Sequence, residues 1–282
     1  LTYQIAPLTA ETFGKLRDFI YETTNINMRE GKQILVSNRL RKRVVALKLD
    51  SYEEYYRYLT GGKNGASELR HFIDAVSTNE TYFYRETNHL DVMRETIFPE
   101  LFARKHQVVL WSAGCSTGEE PYTLRIAFEE GLGTRWKGDL RIVATDISSE
   151  VVERAKEGDY RDRSVRFVPP HVLEKYFVSD GTGGFQVKDA LRSSIEFKLN
   201  NLLKDPPPVD RVDVIFCRNV MIYFDKETQQ RLADDYFAPV LDPKGYLCIG
   251  HSESLSGTSR AFQFIRGMKA PVYQFKPNGS LS

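Results

Sequence analysis

A glycine-bearing turn is the segment of this sequence best suited to bind a ligand. Its residues, Ser112-Ala113-Gly114-Cys115-Ser116-Thr117-Gly118, follow an apolar stretch and precede a helical pattern. A glycine turn between a first strand and a helix lets the backbone approach a ligand closely at the carboxyl edge of a sheet. The turn therefore predicts the position of a nucleotide-like cofactor.

Two carboxylates, Glu119 and Glu120, stand at the start of the helix that follows this turn. Neither GxGxxG nor GxxxxGK[ST] occurs there, and anions at this position would repel a pyrophosphate. They suit a cofactor that carries a positive sulfonium and an ammonium group, as S-adenosylmethionine does. Carboxylates in a first helical turn also complement the helix dipole without any ligand. The pair by itself leaves both interpretations open.

Further polar residues follow later apolar segments. Asp146 ends one of them, at the place where α/β cofactor domains accept hydrogen bonds from ribose hydroxyls, although it could also serve only the turn before the next helix. Two amide-bearing segments, Asn200-Asn201-Leu202-Leu203 and Cys217-Arg218-Asn219-Val220, offer the edge hydrogen bonds and apolar contacts that an adenine needs.

The elements that position these residues alternate between strand and helix. Apolar strands are expected at residues 108–111, 140–145, 212–217 and 246–249, with helices at 90–104, 120–130, 149–156 and 226–238. Such alternation predicts an α/β domain whose mostly parallel sheet is covered on both faces. Within it, short segments at 176–178, 185–187 and 195–197 predict an inserted antiparallel β meander at about 160–200.

The first 76 residues show only helical periodicity and predict a separate all-helical domain. Residues 15–48 carry a net charge of +6, and Arg39, Lys42 and Arg43 fall on one face of the second predicted helix. This face is either simply solvated or a docking surface for an acidic partner. A linker at 77–89 joins the helical domain to the α/β domain at 90–282.

The composition of the chain argues against several classes of protein. The chain has 282 residues and a net charge of +1, so bulk charge gives no argument for a nucleic-acid or membrane partner. Its three cysteines, Cys115, Cys217 and Cys248, lie far apart without a CxxC motif, which disfavours a disulfide framework and a metal site. No apolar run approaches the ~18 residues of a membrane span. A reducing, cytoplasmic setting is therefore expected.

Six segments, in this order, closely resemble the CheR family of chemotaxis receptor glutamate methyltransferases: TNETYFYR, WSAGCSTGEEPY, ATDIS, NNLL, CRNVMIYF and GHSES. The resemblance runs from about residue 13 to residue 275. It implies a class I, Rossmann-like methyltransferase domain that binds S-adenosylmethionine, together with the helical domain and the inserted β subdomain. The implied partners are the cytoplasmic helical domains of chemoreceptors, and the implied product is S-adenosylhomocysteine.

The resemblance also implies roles for individual residues. Asn79, Thr81 and Arg85 would close over the cofactor near Gly114, and Glu119 or Glu120 would take its amino-acid end. Asp146 would bind the ribose, and the adenosine would lie among Asn201, Leu202, Asn219 and Val220. Arg85 and Tyr223 match the positions beside the reacting methyl group. The loop at 180–184 lies where some family members bind a receptor C-terminal peptide.

A glutamate acceptor needs no general base, because its carboxyl pKa of ~4.3 leaves it ionised at neutral pH. Direct in-line displacement is therefore the expected mechanism. The alternative from a different class is a noncatalytic protein that binds S-adenosylmethionine as a sensor or scaffold. A nucleic-acid amino-methyltransferase would be expected to carry an Asn/Asp-Pro-Pro-aromatic motif in place of Arg218-Asn219-Val220-Met221, and a dehydrogenase would be expected to carry GxGxxG.

Overall fold

The computed structural model describes residues 5–132 and 135–276, without the side chains of residues 63 and 64. The chain divides into two compact units. The smaller unit comprises residues 1–78 with 147–149, and the larger comprises 79–146 with 150–282. No helix among the described residues combines the length and the apolar character needed to cross a bilayer.

The smaller unit is built from four helices, as its periodicity predicts: α1 (Ala10–Thr24), α2 (Gln33–Ala46), α3 (Tyr52–Thr60) and α4 (Gly62–Val76). Their apolar faces meet in one core, which includes Leu16, Ile20 and Leu40. Ser51 caps α3, since its hydroxyl accepts from the Glu54 N–H at 3.2 Å, and the two residues have the spacing of a capping box. The Glu54 carboxylate accepts from the N–H of Asp50, one residue before the capping residue Ser51, whose own N–H is the usual donor in a capping box.

A buried carboxylate holds α2 against α3 and α4. Glu68 is 4% exposed and accepts two hydrogen bonds from the Arg43 guanidinium, at 2.7 and 2.6 Å. The Tyr55 hydroxyl donates to the same carboxylate at 2.9 Å. Desolvation and the negative charge of Glu68 raise the pKa of Tyr55 well above its usual range. Arg43 therefore neutralises a charge inside the helical core.

We expect Arg43→Met to lower the free energy of unfolding by about 2–3 kcal/mol, because it leaves the Glu68 carboxylate buried without a cation. Urea titration followed by circular dichroism measures this. Lys42→Met, at an exposed neighbour on the same helix, is the matched control and should change the free energy by less than about 0.5 kcal/mol. Equal effects of the two substitutions would contradict a structural role for the Arg43–Glu68 pair.

The larger unit contains a seven-stranded sheet in the order β6-β2-β1-β7-β8-β10-β9. Its strands are β1 (Gln107–Ala113), β2 (Asp139–Asp146), β6 (Ile195–Leu199), β7 (Val212–Cys217), β8 (Leu241–Ile249), β9 (Phe262–Phe264) and β10 (Val272–Phe275). The first five pair in parallel, and β10 is antiparallel to both of its neighbours. The predicted mostly parallel α/β sheet is confirmed.

The helices of the larger unit are α5 (Asn88–Val92), α6 (Phe98–Arg104), α7 (Glu119–Glu129), α8 (Ser149–Glu157), α9 (Asp162–Val165), α10 (Pro170–Tyr176), α11 (Asp189–Arg192) and α12 (Lys226–Arg231). Of these, α6 and α7 contact strands of the large sheet, whereas α9 and α10 contact the inserted antiparallel sheet. A π-helical turn at Met93–Ile97 joins α5 to α6, and another at Leu232–Phe237 prolongs α12. The sheet has an apolar core on each face, and successive side chains of β1 pack into opposite cores. Leu110 belongs to one core and Trp111 to the other.

The inserted antiparallel sheet is present, but one of its predicted strands was wrong. It consists of β3 (Asp159–Arg161), β4 (Phe177–Ser179) and β5 (Gly184–Val187), in the order β3-β5-β4. The segment at 195–197 belongs instead to β6, which pairs in parallel with β2 in the large sheet. The short alternating pattern of this segment is compatible with a strand in either sheet. The path of the chain in three dimensions decides which sheet it joins.

Candidate functional site

The glycine turn after β1 joins the carboxyl ends of three strands. Gly114 and Gly118 have φ of 91° and 95°, in the left-handed region that favours glycine. The N–H groups of Gly114 and Cys115 both donate to the Thr145 carbonyl of β2, at 2.8 and 2.9 Å. A Cβ on Gly114 would lie 2.4 Å from Val220, which follows β7. The turn therefore lies where the strand order reverses, the usual ligand crevice of open α/β sheets.

Asp146 lies beside this turn and is 8% exposed. Its carboxylate accepts from the Ser116 N–H at 2.8 Å. The Ser116 hydroxyl in turn donates to the Asn79 carbonyl at 3.0 Å. The structure thus brings together three segments that the sequence proposes for the cofactor site. It also gives Asp146 a role in shaping the turn.

The two adjacent glutamates occupy different environments. Glu119 is 2% exposed, and its carboxylate accepts from the Thr117 hydroxyl at 2.6 Å. Burial raises the pKa of Glu119, which disfavours its anionic form. Glu120 retains partial exposure and accepts from the Ser112 hydroxyl at 2.8 Å. Glu120 is therefore the one whose charge remains accessible to a ligand.

One buried cation connects Glu120 to the segment that carries Arg85. The Arg218 side chain is 6% exposed, and it donates to Glu120 at 2.9 Å and to the Arg85 carbonyl at 2.7 Å. It also pairs with Glu86 at 3.1 Å. A single guanidinium thus lies between two carboxylates, and the excess of negative charge favours a cationic ligand.

Two histidines lie near the Glu86 carboxylate that pairs with Arg218. His251 lies 2.9 Å from this carboxylate, and the buried His89 lies 3.8 Å from it. Burial alone would raise the pKa of Glu86, but the hydrogen bond with His251 and the charge of Arg218 lower it to about 2. Burial and the charge of Arg218 lower the pKa of His89 to about 4.

Glu86, His89 and His251 present ligand atoms within 4.8 Å of one another, as a metal site would. The Arg218 guanidinium already binds the Glu86 carboxylate, and a divalent cation on that carboxylate would lie beside this positive charge. The Glu86–His251 pair is therefore better explained as a support for Arg218, and the His89 Nε2 forms its hydrogen bond with the Ile249 carbonyl at 2.8 Å.

Glu253 positions the loop after β7. Its carboxylate accepts from the backbone N–H groups of Gly250, Asn219 and Ile222, at 2.6, 2.9 and 3.1 Å. Asn219 has φ of 58°, a left-handed conformation that these bonds hold in place. Burial raises the pKa of Glu253, and the backbone donors oppose that rise. The loop leads directly into the short 3₁₀ turn that carries Tyr223.

The predicted site residues differ in how the structure presents them. Arg85 and Tyr223 are half-buried, and the Arg85 guanidinium donates to the Glu80 carbonyl at 2.7 Å. Thr81 and Asn201 are also half-buried, whereas Leu202 is buried. The sequence reasoning missed Glu86, Arg218 and Glu253 as parts of the site. Their signal was present, because all three lie in or next to the segments that carry the resemblance.

The proposed docking face on α2 is only partly free. Arg43 is bound to Glu68, and Arg39 donates to the Val76 carbonyl and to the Thr78 hydroxyl. Lys42 is exposed. Periodicity placed the three cations on one side of the helix, but it could not show that two of them bind within their own unit.

Comparison with known proteins identifies the family. Residues 79–270 match the SAM-binding domain of CheR methyltransferases, and residues 11–77 match the all-alpha domain of the same enzymes. The chain belongs to the CheR methyltransferase family. The cofactor of its larger unit is S-adenosylmethionine, as the charge excess around Glu120 suggests.

Several relatives match over most of their length. The chemotaxis protein methyltransferase of Salmonella typhimurium strain LT2 is 38% identical over 95% of this chain and 91% of its own. That of Borreliella burgdorferi is 36% identical over 89% and 90%. That of Escherichia coli K12 is 36% identical over 90% and 88%.

The low pKa of Glu86 predicts a pH-dependent contribution to stability. A carboxyl whose pKa falls from 4.5 to about 2 on folding stabilises the fold above pH 4.5, and this stabilisation is lost as the pH falls toward 2. Glu86→Gln should therefore lower the free energy of unfolding by at least about 1 kcal/mol at pH 7. The deficit should shrink between pH 4.5 and the acid limit of folding.

Urea titrations at pH 7, 5 and 4 measure this dependence. Glu227→Gln, at an exposed carboxylate of α12, is the control. A Glu86→Gln deficit that stays constant or grows as the pH falls would show that Glu86 is not held as an anion by Arg218 and His251.

Proposed function

We propose that this chain transfers the methyl group of S-adenosylmethionine to glutamate side-chain carboxylates of chemoreceptors, giving glutamate methyl esters and S-adenosylhomocysteine. The observation that carries the proposal is the match of both units to CheR methyltransferases. The relatives that match over about nine-tenths of the chain are named as chemotaxis protein methyltransferases, which supports receptors as the substrates.

The contacts described above support one assignment of the cofactor site. Glu120 takes the ammonium end, because its charge is accessible and Arg218 and Ser112 fix its orientation. Asp146 accepts from the ribose hydroxyls at the end of β2. The adenosine lies among the residues after β6 and β7: Asn201, Leu202, Asn219 and Val220. Asn79 and Thr81 close over it beside Gly114.

The acceptor glutamate is already an anion at neutral pH, so the site has to position it rather than deprotonate it. When bound, S-adenosylmethionine supplies an electrophilic methyl group on its sulfonium. Arg85 orients the acceptor carboxylate, and Tyr223 packs or donates beside the reacting atoms. A strong bond from Arg85 would also weaken the nucleophile, so its contribution is orientation and exclusion of water.

The receptor approaches as a long acidic helix in this proposal. Lys42 is the exposed cation of the predicted α2 face, whereas Arg39 and Arg43 serve mainly to hold their own unit together. The loop at 180–184 is a second candidate contact, for a receptor C-terminal peptide. In it, Asp180 accepts from the N–H groups of Thr182 and Gly184, at 2.7 and 2.8 Å, which gives the loop a defined shape.

Incubation with methyl-labelled S-adenosylmethionine and cytoplasmic receptor fragments tests the function. Label should enter the receptor and be released as methanol in base, because glutamate methyl esters are base-labile. Receptor fragments with the acceptor glutamates changed to alanine are the control. Tight binding of S-adenosylhomocysteine without any transfer would favour a noncatalytic cofactor-binding protein instead.

Arg85→Ala should reduce kcat by at least about 100-fold, since it removes the cation that orients the acceptor. The affinity for S-adenosylhomocysteine, measured by calorimetry, and the circular dichroism spectrum should change far less. Arg266→Ala, at an exposed arginine of the same unit, is the matched control. Turnover that survives in Arg85→Ala would remove Arg85 from the mechanism.

Asp146 provides a test of the ribose assignment. Asp146→Ala should weaken S-adenosylhomocysteine binding by at least about tenfold, since a charge-assisted hydrogen bond contributes about 1.5–3 kcal/mol. Asp146→Asn keeps an oxygen for the Ser116 N–H, and should fall between Asp146→Ala and wild type. Calorimetric affinities equal to wild type in both variants would show that Asp146 serves only the turn.

A further inference from the structure

Arginine and aromatic side chains alternate on the surface of the larger unit beside Arg85. The Tyr82 ring lies close to two guanidinium groups, with its centroid 5.9 Å from the Arg85 Cζ and 4.9 Å from the Arg166 Cζ. Arg166 is also 4.8 Å from the centroid of Phe167. The Tyr82 and Phe167 rings are 5.4 Å apart. We call these four residues the arginine–aromatic patch.

The backbone beneath the patch is anchored. The Phe83 N–H donates to the Ser164 carbonyl at 3.0 Å, which joins the segment of Tyr82 and Arg85 to α9, the helix that directly precedes Arg166 and Phe167. The Phe83 ring is fully buried and packs edge-on against Tyr160 and Phe177 of the small sheet. The patch is therefore a preformed surface, because both of its segments are fixed to the same core.

Arg166 differs from the neighbouring arginine in its ion pairing. Its neighbour Arg163 pairs with Glu80 at 3.1 Å. No ion pair found in the part of the chain that the structure describes includes Arg166, although its side chain is exposed. Aromatic stacking uses the face of a guanidinium and leaves the N–H groups in its plane available. These N–H groups match the geometry of a carboxylate.

The surface also offers an apolar contact. Phe167 is 54% exposed, which is a large fraction for an aromatic side chain that already touches Tyr82 and Arg166. An exposed aromatic next to an open guanidinium fits a partner whose carboxylates rise from an aliphatic surface. A helix provides such a surface, because residues three or four positions apart lie on one face.

We propose that the arginine–aromatic patch binds the receptor helix beside the acceptor glutamate, with Arg166 receiving a second carboxylate from a neighbouring turn of that helix. The inference rests on the proposed function and specifies its substrate. Arg85 and Arg166 contact the same ring, so an acceptor held at Arg85 brings the flanking side chains of its helix to Arg166. The patch would thus select glutamates that have an acidic neighbour.

Steady-state kinetics with a receptor fragment test this selection. Arg166→Gln should raise KM for the receptor about tenfold, while kcat and the affinity for S-adenosylhomocysteine stay within twofold of wild type. Phe167→Ala should raise the same KM by a smaller factor, since it keeps the charge of Arg166. Arg266→Gln is the matched control and should leave all three values unchanged.

A receptor variant identifies the second carboxylate. Acidic residues three or four positions from the methylated glutamate are changed to their amides, and the effect should be non-additive with Arg166→Gln. A receptor KM within twofold of wild type in Arg166→Gln would overturn the inference. So would an equal loss of S-adenosylhomocysteine affinity, which would place Arg166 in the cofactor site. An inactive wild-type chain would overturn the proposed function itself, and this inference with it.

Discussion

The buried Arg218 guanidinium is the interaction on which the rest of the site depends. It contacts the carboxylate at the start of α7, the backbone that carries Arg85, and Glu86 on the same segment. A buried cation is costly unless it is paired, and here the two terminal nitrogens of Arg218 donate to two carboxylates and a carbonyl, while its Nε has no partner among the described residues. Because the single guanidinium is shared by two carboxylates, Glu120 keeps negative charge at the place where we propose that the cationic methyl donor binds.

Two further constraints bring the strand ends together. Gly114 lets the turn after β1 approach Val220 more closely than any side chain would allow. Glu253 binds three backbone N–H groups and thereby fixes the left-handed Asn219 and the turn behind it. Neither Gly114 nor Glu253 needs to touch a reacting atom. They set how closely the loops after β1 and β7 approach each other, and with them the side chains that we propose to bind the cofactor and orient the acceptor.

The two units use buried carboxylates differently. In the helical unit, Arg43 pairs with Glu68 and the Tyr55 hydroxyl donates to it, so this carboxylate holds three helices together. In the larger unit, Glu120 shares its cation with Glu86 and keeps part of its surface accessible. The same chemical group is therefore structural in one place and available for a ligand in the other, and the number of cations around it makes the difference.

The sequence by itself determined the alternation of strands and helices, the helical N-terminal segment and the location of the cofactor turn, because hydrophobic periodicity and glycine turns are local properties of the chain. It also placed Glu119, Glu120 and Asp146 near one edge of the sheet. Local patterns do not record which strand pairs with which, so the segment at 195–197 was assigned to the wrong sheet. Local sequence patterns also do not show which group the end of a long side chain contacts. Only the tertiary structure decided that Arg43 binds Glu68, that Glu119 is buried while Glu120 is accessible, and that Arg218 joins Glu120 to the backbone of Arg85. Each of these features arises from the packing of separate elements against one another.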